Sequence, residues 1–438
     1  MALSHHPHYD HRPLPLLALL SLLLPATPLA GASGVFSLLD YGGVGDGATD
    51  NSAAFARAVA AVAAAGGGTL VVPAAAPPAG GTYVTRGVNL TSGMTLLLGD
   101  GVVLRSSLDY AAWPLIPPLR AYPGDGPRYA PILGGYGVRD VRVLGNASAA
   151  ATIDGLGLAW DAASAAKLLK GQRPHVIEFA GSTNVEVAGI AIVQPAFWSV
   201  HFSECVSVHV HDATIVSATE NGDGVDVGAQ DVLLERLSIS ASDDAIAIKS
   251  GDAPAGSGLP PSRNITIRDC TLASAEACVA VGSEMTAGVQ DVLVENVTCT
   301  AAGHALLYVK ARRDAGGFVR NVRVQDAVLS GPLERFLWVS QHFGEGGENV
   351  QVGDGTLPVV ANISLARVAV TRGGVVVQAA LLNGAVAPPG VGGAGAILGL
   401  ALEDVFLGDA TLLGWNCTNA TGTYRNVTPA PCAAITPQ

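Results

Sequence analysis

One short stretch of the sequence, "NGDGVDVGAQDVLLERLSISASDDAIAIKSGD", begins at Asn221 and holds six aspartates, four of which lie close together at the edges of apolar runs. Asp223 and Asp226 flank the start of one apolar run, and Asp243 and Asp244 directly precede another. The simplest interpretation is that they form Asx-turns at strand edges. Paired carboxylates with room between them also supply an acid and a water-activating base, the groups that hydrolyse glycosidic bonds. Adjacent like charges raise one pKa, which keeps a proton available for transfer.

The segments around these aspartates repeat one template, with apolar residues at the first, third, sixth and eighth places. Seven segments fit it: "VEVAGIAI", "VHVHDATI", "VLLERLSI", "ITIRDCTL", "VLVENVTC", "VRVQDAVL" and "ISLARVAV", which begin at 185, 208, 232, 265, 292, 322 and 363. The steps are 23, 24, 33, 27, 30 and 41 residues. This period predicts an all-β fold, a parallel β-helix, because helical repeats would show a 3.6-residue periodicity.

A second strand recurs between these segments as an apolar-x-apolar triplet. Side chains alternate across a strand, so the flanking residues should point into the coil and the middle residue out of it. The predicted outward column reads His201, Asp226, Ala247, Ala280, Tyr308 and Trp338. In the same register Asp223 and Asp244 fall one coil apart and should lie close together. Small residues between acidic and aromatic ones predict a cleft with an acidic centre and an aromatic wall, and a plain solvated face is the alternative.

Charge and composition restrict the partners. The charged fraction is 14% and the formal net charge is −12. Nucleic acids and anionic membranes need clustered Lys and Arg, so neither is expected as a partner. A polyanionic substrate stays compatible if a few basic residues gather in one cleft. The sequence has no Cys/His spacing typical of zinc and no phosphate-binding loop, so we infer no cofactor and no metal. We expect a monomer.

The chain is expected to begin with a signal peptide over residues 1–32, followed by a single domain over residues 33–438 with a Cys-containing C-terminal tail. The leader has a basic Arg12, an apolar core from Leu14 to Leu24 and a small-x-small site at Ala30 to Ala32. No later segment has 18 uninterrupted apolar residues, so we expect a soluble, secreted protein of the cell wall. Eight Asn-x-Ser/Thr sequons fit that route: Asn89, Asn146, Asn264, Asn296, Asn362, Asn416, Asn419 and Asn426.

The six cysteines of a secreted chain could pair in several ways. Cys417 and Cys432 lie in a polar, Pro-containing tail, which favours a local disulfide between them. Cys270 and Cys299 fall on apolar strand positions, where we expect buried thiols.

Several further motifs together resemble glycoside hydrolase family 28, the polygalacturonase-like enzymes. They are "FSLLDYGGVGDGATDNSAAFARAV", "TIDGLGLAW", "RPHVIEF", "FWSVHFSEC", "NGDGVDV" and "SDDAIAIKSGD", and the resemblance runs from Phe36 to about residue 345. It implies a right-handed, single-stranded parallel β-helix that hydrolyses α-linked galacturonan with inversion. By position Asp243 resembles the general acid, while Asp223 and Asp244 resemble the pair that holds the attacking water. Inverting enzymes usually separate acid and base by about 6.5–9.5 Å.

The resemblance also suggests substrate-binding residues and shows two departures. Lys310, in "LLYVKARRD", matches the lysine of an Arg-Ile-Lys motif that contacts a substrate carboxylate, and Tyr308 replaces the arginine. A Gly-His-Gly segment expected near "EACVAVGSE" has no histidine, and His304 belongs to the following coil, so we assign it no role. These losses resemble the plant exo-acting branch. Asp226 and His201 complete the candidate binding residues, with a solvated surface histidine as the alternative for His201.

Two other functions remain open. A β-helical lyase would also cleave pectin, but it needs calcium bound by carboxylates and a basic residue that removes the C5 proton. A non-catalytic wall-binding protein would keep the cleft without the chemistry, which Tyr308 and the missing histidine would explain.

Overall fold

The computed structural model describes residues 34–438 except 75–80, 146–150, 255, 313–315, 345–356, 372–373, 386–395 and 409–412. Residues Gly31–Gln438 form one compact unit. The predicted signal peptide lies outside the described residues. Neither helix among the described residues has the length and hydrophobicity of a membrane span.

Short β-strands make up most of the described chain. In chain order they are β1 Val35–Ser37, β2 Asp46–Asp50, β3 Gly68–Val72, β4 Thr82–Thr85, β5 Val88–Asn89, β6 Met94–Leu98, β7 Val103–Ser106, β8 Leu115–Ile116, β9 Arg128–Tyr129, β10 Leu133–Tyr136, β11 Arg139–Leu144, β12 Ala151–Asp154, β13 Ile177–Ala180, β14 Thr183–Ala188, β15 Ile190–Val193, β16 Val200–His211, β17 Thr214–Val216, β18 Val225–Glu235, β19 Ser238–Ala241, β20 Ile246–Ile248, β21 Ser262–Arg268, β22 Thr271–Ser274, β23 Ala277–Gly282, β24 Val289–Lys310, β25 Phe318–Leu329, β26 Pro332–Ser340, β27 Val359–Val370, β28 Val375–Asn383, β29 Ile397–Phe406, β30 Leu413–Thr418, β31 Ala420–Thr428 and β32 Ile435–Pro437. The helices are α1 Ser52–Ala64 and α2 Gly157–Ala165, with a 3₁₀ turn at Leu38–Tyr41.

The strands wind into a right-handed parallel β-helix, which confirms the predicted fold class. Each strand pairs in parallel with the equivalent strand of the next coil, apart from the antiparallel ribbon β8–β9. The first residues of the seven template segments pair one with the next, from Val185↔Val208 to Val322↔Ile363. The template therefore marks one strand of each coil.

The outward column is also confirmed. Its members pair in the predicted order: His201↔Asp226, Asp226↔Ala247, Ala247↔Ala280, Ala280↔Tyr308 and Tyr308↔Trp338. Pairing of Glu178 with His201 extends the column by one coil. The flanking residues, such as Val225 and Val227, are fully buried in the core. Each such aliphatic side chain contributes roughly 1.5–3 kcal/mol on burial.

Asn and Asp recur at the turns because the coils bend through left-handed backbone conformations, which these residues tolerate. Asn264 has φ 55° and donates through Nδ2 to Asp231 Oδ1 of the preceding coil at 2.7 Å. Asn321 repeats this arrangement with Asp291 at 2.7 Å. These ladders fix the stacking of the coils on the solvent side. The asparagines of the described sequons are all exposed, and Asn146 lies outside the described residues.

The cysteines are partly as expected. The local disulfide Cys417–Cys432 is confirmed. Cys270 is a buried free thiol, as predicted. The expectation of a free thiol at Cys299 is wrong, because Cys299 forms a disulfide with Cys278. Neighbouring coils bring these two residues together across a separation of 21 positions in the sequence, which strand polarity alone does not indicate.

Candidate active site

A cavity of about 440 Å³ lies on the outer face of the coils. This volume is in the range of small-molecule and sugar-sized sites. Residues at the ends of the outward-column strands line the cavity. Asp223, Asp243 and Asp244 lie before the starts of their strands, and Lys310 lies at the end of its strand. The structure therefore brings the three candidate catalytic aspartates and the candidate lysine into one cavity.

Strand register explains why the aspartates meet. Asp223 precedes β18 and Asp244 precedes β20, and the Gly224 N–H donates to the Asp244 carbonyl at 3.0 Å. Parallel strands lie about 4.7–4.9 Å apart, so equivalent residues are one strand spacing apart. One carboxylate oxygen from each of Asp223, Asp243 and Asp244 lies within 4.8 Å of the others. The wide separation expected for inversion is therefore not found.

The three carboxylates have different surroundings. Asp244 is 1% exposed and accepts from Lys310 Nζ at 2.7 Å and from the Ala277 N–H at 3.2 Å. Asp243 is partly exposed, and its Oδ1 accepts from the Asp244 N–H at 2.9 Å. Asp223 is 2% exposed, and its Oδ1 has no hydrogen-bond partner among the described residues. A buried carboxylate without a donor favours its neutral form.

Burial raises the pKa of Asp223 well above its usual value, and the charge of Asp226 raises it further. The pKa of Asp226 is also well above its usual value, because burial outweighs the opposing charge of Lys249. Burial raises the pKa of Asp244 as well, and the charge of Lys310 opposes this rise. The acidic centre therefore holds protons at a pH where exposed aspartates are ionised, as acid–base chemistry requires.

A second lysine lies in the cavity. The Lys249 ammonium is 2.9 Å from Glu284 Oε2 and 3.5 Å from Asp226 Oδ1, and it lies 4.4 Å from the ring centroid of Trp198. Burial raises the pKa of Glu284, but the charge of Lys249 brings it down to about 2. We did not predict this lysine. The signal was present, because Lys249 follows "AIAI" as Lys310 follows "LLYV".

The other three candidate binding residues do not line this cavity. Asp226 is 0% exposed and lies beneath Lys249. Tyr308 is 3% exposed, with its ring stacked on Trp338 at a centroid distance of 4.3 Å. His201 is 1% exposed and contacts Glu178 Oε2 through Nδ1 at 3.1 Å, so it is neither solvated nor in the cavity. The outward column is covered by other segments, which the repeat pattern alone does not predict.

The aromatic side of the cavity comes from elsewhere in the sequence. The segment between β7 and β10 leaves the coil, and its Tyr122 lines the cavity together with Phe197 and Trp198. Asp252 and Ala253 N–H groups hold this excursion by donating to the Ala121 carbonyl at 2.7 and 3.1 Å. The cavity has aromatic residues in two separate clusters: Tyr122, Phe197 and Trp198 form one, and Phe343 lines the cavity from the other, with Tyr308 and Trp338 packed against it.

Next to Tyr122, Phe197 and Trp198 lies a buried polar network centred on Glu178. This carboxylate accepts from Arg128 and Tyr136 and contacts the Nδ1 atoms of His175 and His201. Its pKa is well below the usual value despite burial, because His175, His201 and Arg128 stabilise the charge. Between this network, Tyr122 and Trp198 the structure leaves a small cavity of about 10 Å³.

Two groups among the described residues have ligand atoms close enough together for a metal ion: His175, Glu178 and His201, and Asp223, Asp243 and Asp244. Glu178 is already saturated by an arginine, a tyrosine and two histidines, which leaves little capacity for a cation. The three aspartates are the candidate acid–base groups described above.

The chain is similar to known proteins over most of its length. Residues 135–371 match the family described as "Glycosyl hydrolases family 28". A probable polygalacturonase of Vitis vinifera is 29% identical over 415 residues, which cover 92% of this chain and 80% of the relative. An exo-poly-alpha-D-galacturonosidase of Dickeya chrysanthemi is 23% identical over 191 residues, 43% of this chain and 31% of the relative.

Solved structures agree in fold. An exopolygalacturonase from Thermotoga maritima superposes with a TM-score of 0.73 at 21% identity and 92% coverage of both chains. A polygalacturonase from Erwinia carotovora superposes with a TM-score of 0.68 at 19% identity, covering 86% of this chain and 94% of the other. At these identities the superpositions show the shared β-helix, and the family match adds the class of enzyme. The chain belongs to glycosyl hydrolases family 28 and is a polygalacturonase-like glycoside hydrolase.

Proposed function

We propose that this glycoside hydrolase is a secreted polygalacturonase that cleaves α-1,4-galacturonosyl bonds of pectin. The observation that carries the proposal is the convergence of Asp223, Asp243 and Asp244 in one cavity with a lysine bonded to one of them. The Vitis relative, named as a probable polygalacturonase, supports the same substrate class.

The roles follow from exposure and pairing. Asp243 is the most exposed of the three and faces the cavity, so we assign it as the general acid that protonates the leaving oxygen. Asp223 and Asp244 lie in register on neighbouring coils, and we assign them to hold the attacking water. Lys310 is bonded to Asp244 and lines the cavity, so its remaining donors would reach the carboxylate of a bound uronate.

We propose that the water attacks directly, with inversion at the anomeric carbon. The family resemblance supports this outcome. The usual distance rule does not, because carboxyl groups about 5–5.5 Å apart are typical of retaining enzymes. The anomeric form of the first product distinguishes the two mechanisms.

We further propose attack at chain ends. Tyr122, Phe197 and Trp198 line the cavity on the side of the preceding coils, and the Glu178 network behind them leaves a cavity of only about 10 Å³. A polysaccharide would meet these side chains instead of passing along the coils. The relatives from Dickeya and Thermotoga carry exo-acting names.

The leader sequence and the exposed sequons support secretion, with glycans on some asparagines, and an extracellular, cell-wall location. We propose that the protein acts as a monomer, with the whole of residues 33–438 as one domain.

The test is incubation of the purified protein with defined α-1,4-linked oligogalacturonates. We expect new reducing ends without ultraviolet-absorbing unsaturated ends, and galacturonate as the first product of every oligomer. Unsaturated ends, with activity lost to a chelator, would identify a lyase. Binding without new reducing ends would identify a wall-binding protein. A mixture of internal fragments at early times would refute attack at chain ends alone.

A further inference from the structure

Glu276 is a cavity residue that the roles above do not use. It lies between β22 and β23, on the coil after Asp243 and Asp244, and its side chain lines the cavity. Hydrogen bonds fix this segment to both aspartates. Ser274 Oγ donates to the Asp243 carbonyl at 2.5 Å and accepts from the Glu276 N–H at 2.8 Å, and the Ala277 N–H donates to Asp244 Oδ1 at 3.2 Å. A sugar placed for the aspartates would therefore lie near Glu276.

His304 holds this glutamate from the following coil. The His304 N–H donates to the Glu276 carbonyl at 2.7 Å, and its Nδ1 atom contacts Glu276 Oε2. The imidazole edge lies against Tyr308 and Trp338, with centroid distances of 5.7 and 5.3 Å. The packed aromatic cluster therefore orients the pair, and each of its two side chains is about one-third exposed.

The charge of Glu276 determines what it can bind. Burial would raise its pKa, but the contact with His304 and the charge of Lys310 hold the pKa below the usual value. An ionised carboxylate only accepts hydrogen bonds. It repels a substrate carboxylate and accepts hydrogen bonds from sugar hydroxyl groups.

We propose that Glu276, held by His304, is a further substrate-binding residue that accepts hydrogen bonds from hydroxyl groups of the sugar beside the scissile bond. This inference rests on the proposed function. It gives the cavity two recognition elements of opposite preference, Lys310 for the carboxylate edge of a uronate and Glu276 for a hydroxyl edge.

The test compares steady-state kinetics of Glu276→Gln, His304→Gln and the double variant with wild type on oligogalacturonate. A charge-assisted hydrogen bond predicts a loss in kcat/KM of roughly 10–100-fold for Glu276→Gln at unchanged Tm. If His304 acts through Glu276, the double variant is no worse than Glu276→Gln alone. The matched control is His209→Gln, since His209 also pairs with a glutamate of the next coil, Glu235, at 3.2 Å but lies outside the cavity. It should retain wild-type kcat/KM.

Three results would overturn the inference while leaving hydrolysis intact. The first is a Glu276→Gln variant with wild-type kcat/KM. The second is a double variant whose loss in kcat/KM equals the sum of the two single losses in free energy. The third is a loss in kcat/KM that accompanies a fall in Tm, with the same loss and the same fall in His209→Gln. A wild-type protein that cleaves no pectic oligomer would refute the proposed function itself, so the two failures are distinguishable.

Discussion

Lys310 Nζ lies 2.7 Å from Oδ2 of Asp244, and both side chains are buried. The two residues are 66 positions apart in the sequence and come from coils that are two strand spacings apart, with β23 between them. The ammonium therefore bridges the acidic centre and the cavity. Asp244 has its own cation, and the same cation lines the cavity in which we propose that a uronate binds.

Replacing Lys310 tests this bridge. Lys310→Ala should lower kcat/KM on unesterified galacturonate oligomers by roughly 10–100-fold, because a charge-assisted contact of about 1.5–3 kcal/mol is lost. The loss should be smaller on methyl-esterified oligomers, whose ester groups carry no charge. Equal losses in kcat/KM on both substrates would mean that Lys310 serves only to hold Asp244. No loss on either substrate would mean that Lys310 has no role in substrate binding or catalysis.

The aspartates themselves are tested by amide replacement. Asp243→Asn and Asp244→Asn should each reduce hydrolysis by on the order of 10²–10⁴-fold, the usual contribution of a general acid or base. The fold should persist, because Asn has the same shape and the flanking strands are held by backbone pairing. Circular dichroism and Tm check the fold, and turnover near the wild-type rate in either variant would contradict the assignment.

Asp226 should make stability depend on pH. Its folded pKa lies well above the usual value, so between about pH 4 and that raised pKa the native state binds more protons than the unfolded state. Stability contributed by this group therefore falls as pH rises through the window. Asp226→Asn removes the free-energy cost of burying an ionisable carboxyl group. It should therefore raise Tm at neutral pH and change Tm little near pH 4.

The matched control for that experiment is Asp212→Asn. Asp212 is paired with Arg236 and His211 near the surface, and its pKa is lowered, so its removal should not raise Tm at neutral pH. An Asp226→Asn variant with the same Tm change at both pH values would contradict the raised pKa.

Secretion is checked by expression of the full chain in a eukaryotic host. The protein in the medium should lack residues 1–32 at its N-terminus, and its mass should fall on enzymatic removal of N-glycans. Retention inside the cells with an intact leader would refute secretion, and an unchanged mass would refute glycosylation.

Much of the scaffold could be predicted from the sequence because a β-helix repeats the same alternation in every coil. The template segments and the outward column gave the register, and the register alone places Asp223 beside Asp244. The register does not predict which other segments surround the two aspartates. Glu178 and His201 point outward, yet the segment between β7 and β10, which carries Tyr122, covers them. Such an insertion does not repeat in the sequence, so its position in the fold cannot be predicted from the repeat.

The contact between Glu276 and His304 was also not predicted, because it depends on the spacing between coils. Glu276 and His304 meet because the step between their coils is 28 residues at this point, so that Ala277 pairs with Ala305. The sequence shows two separate polar residues and no pair. Lys249 is different, since its place after an outward-column triplet matches that of Lys310, and the comparison of those two strand ends would have identified it.

The most direct test of the central claim is the anomeric configuration of the first product, followed by proton NMR during wild-type cleavage of an α-1,4-linked oligogalacturonate. Direct attack by a water held between Asp223 and Asp244, with Asp243 as acid, predicts that the new reducing end appears first as the β-anomer and then mutarotates. First appearance of the α-anomer would mean double displacement through a covalent intermediate, and it would contradict the assignment of these three aspartates.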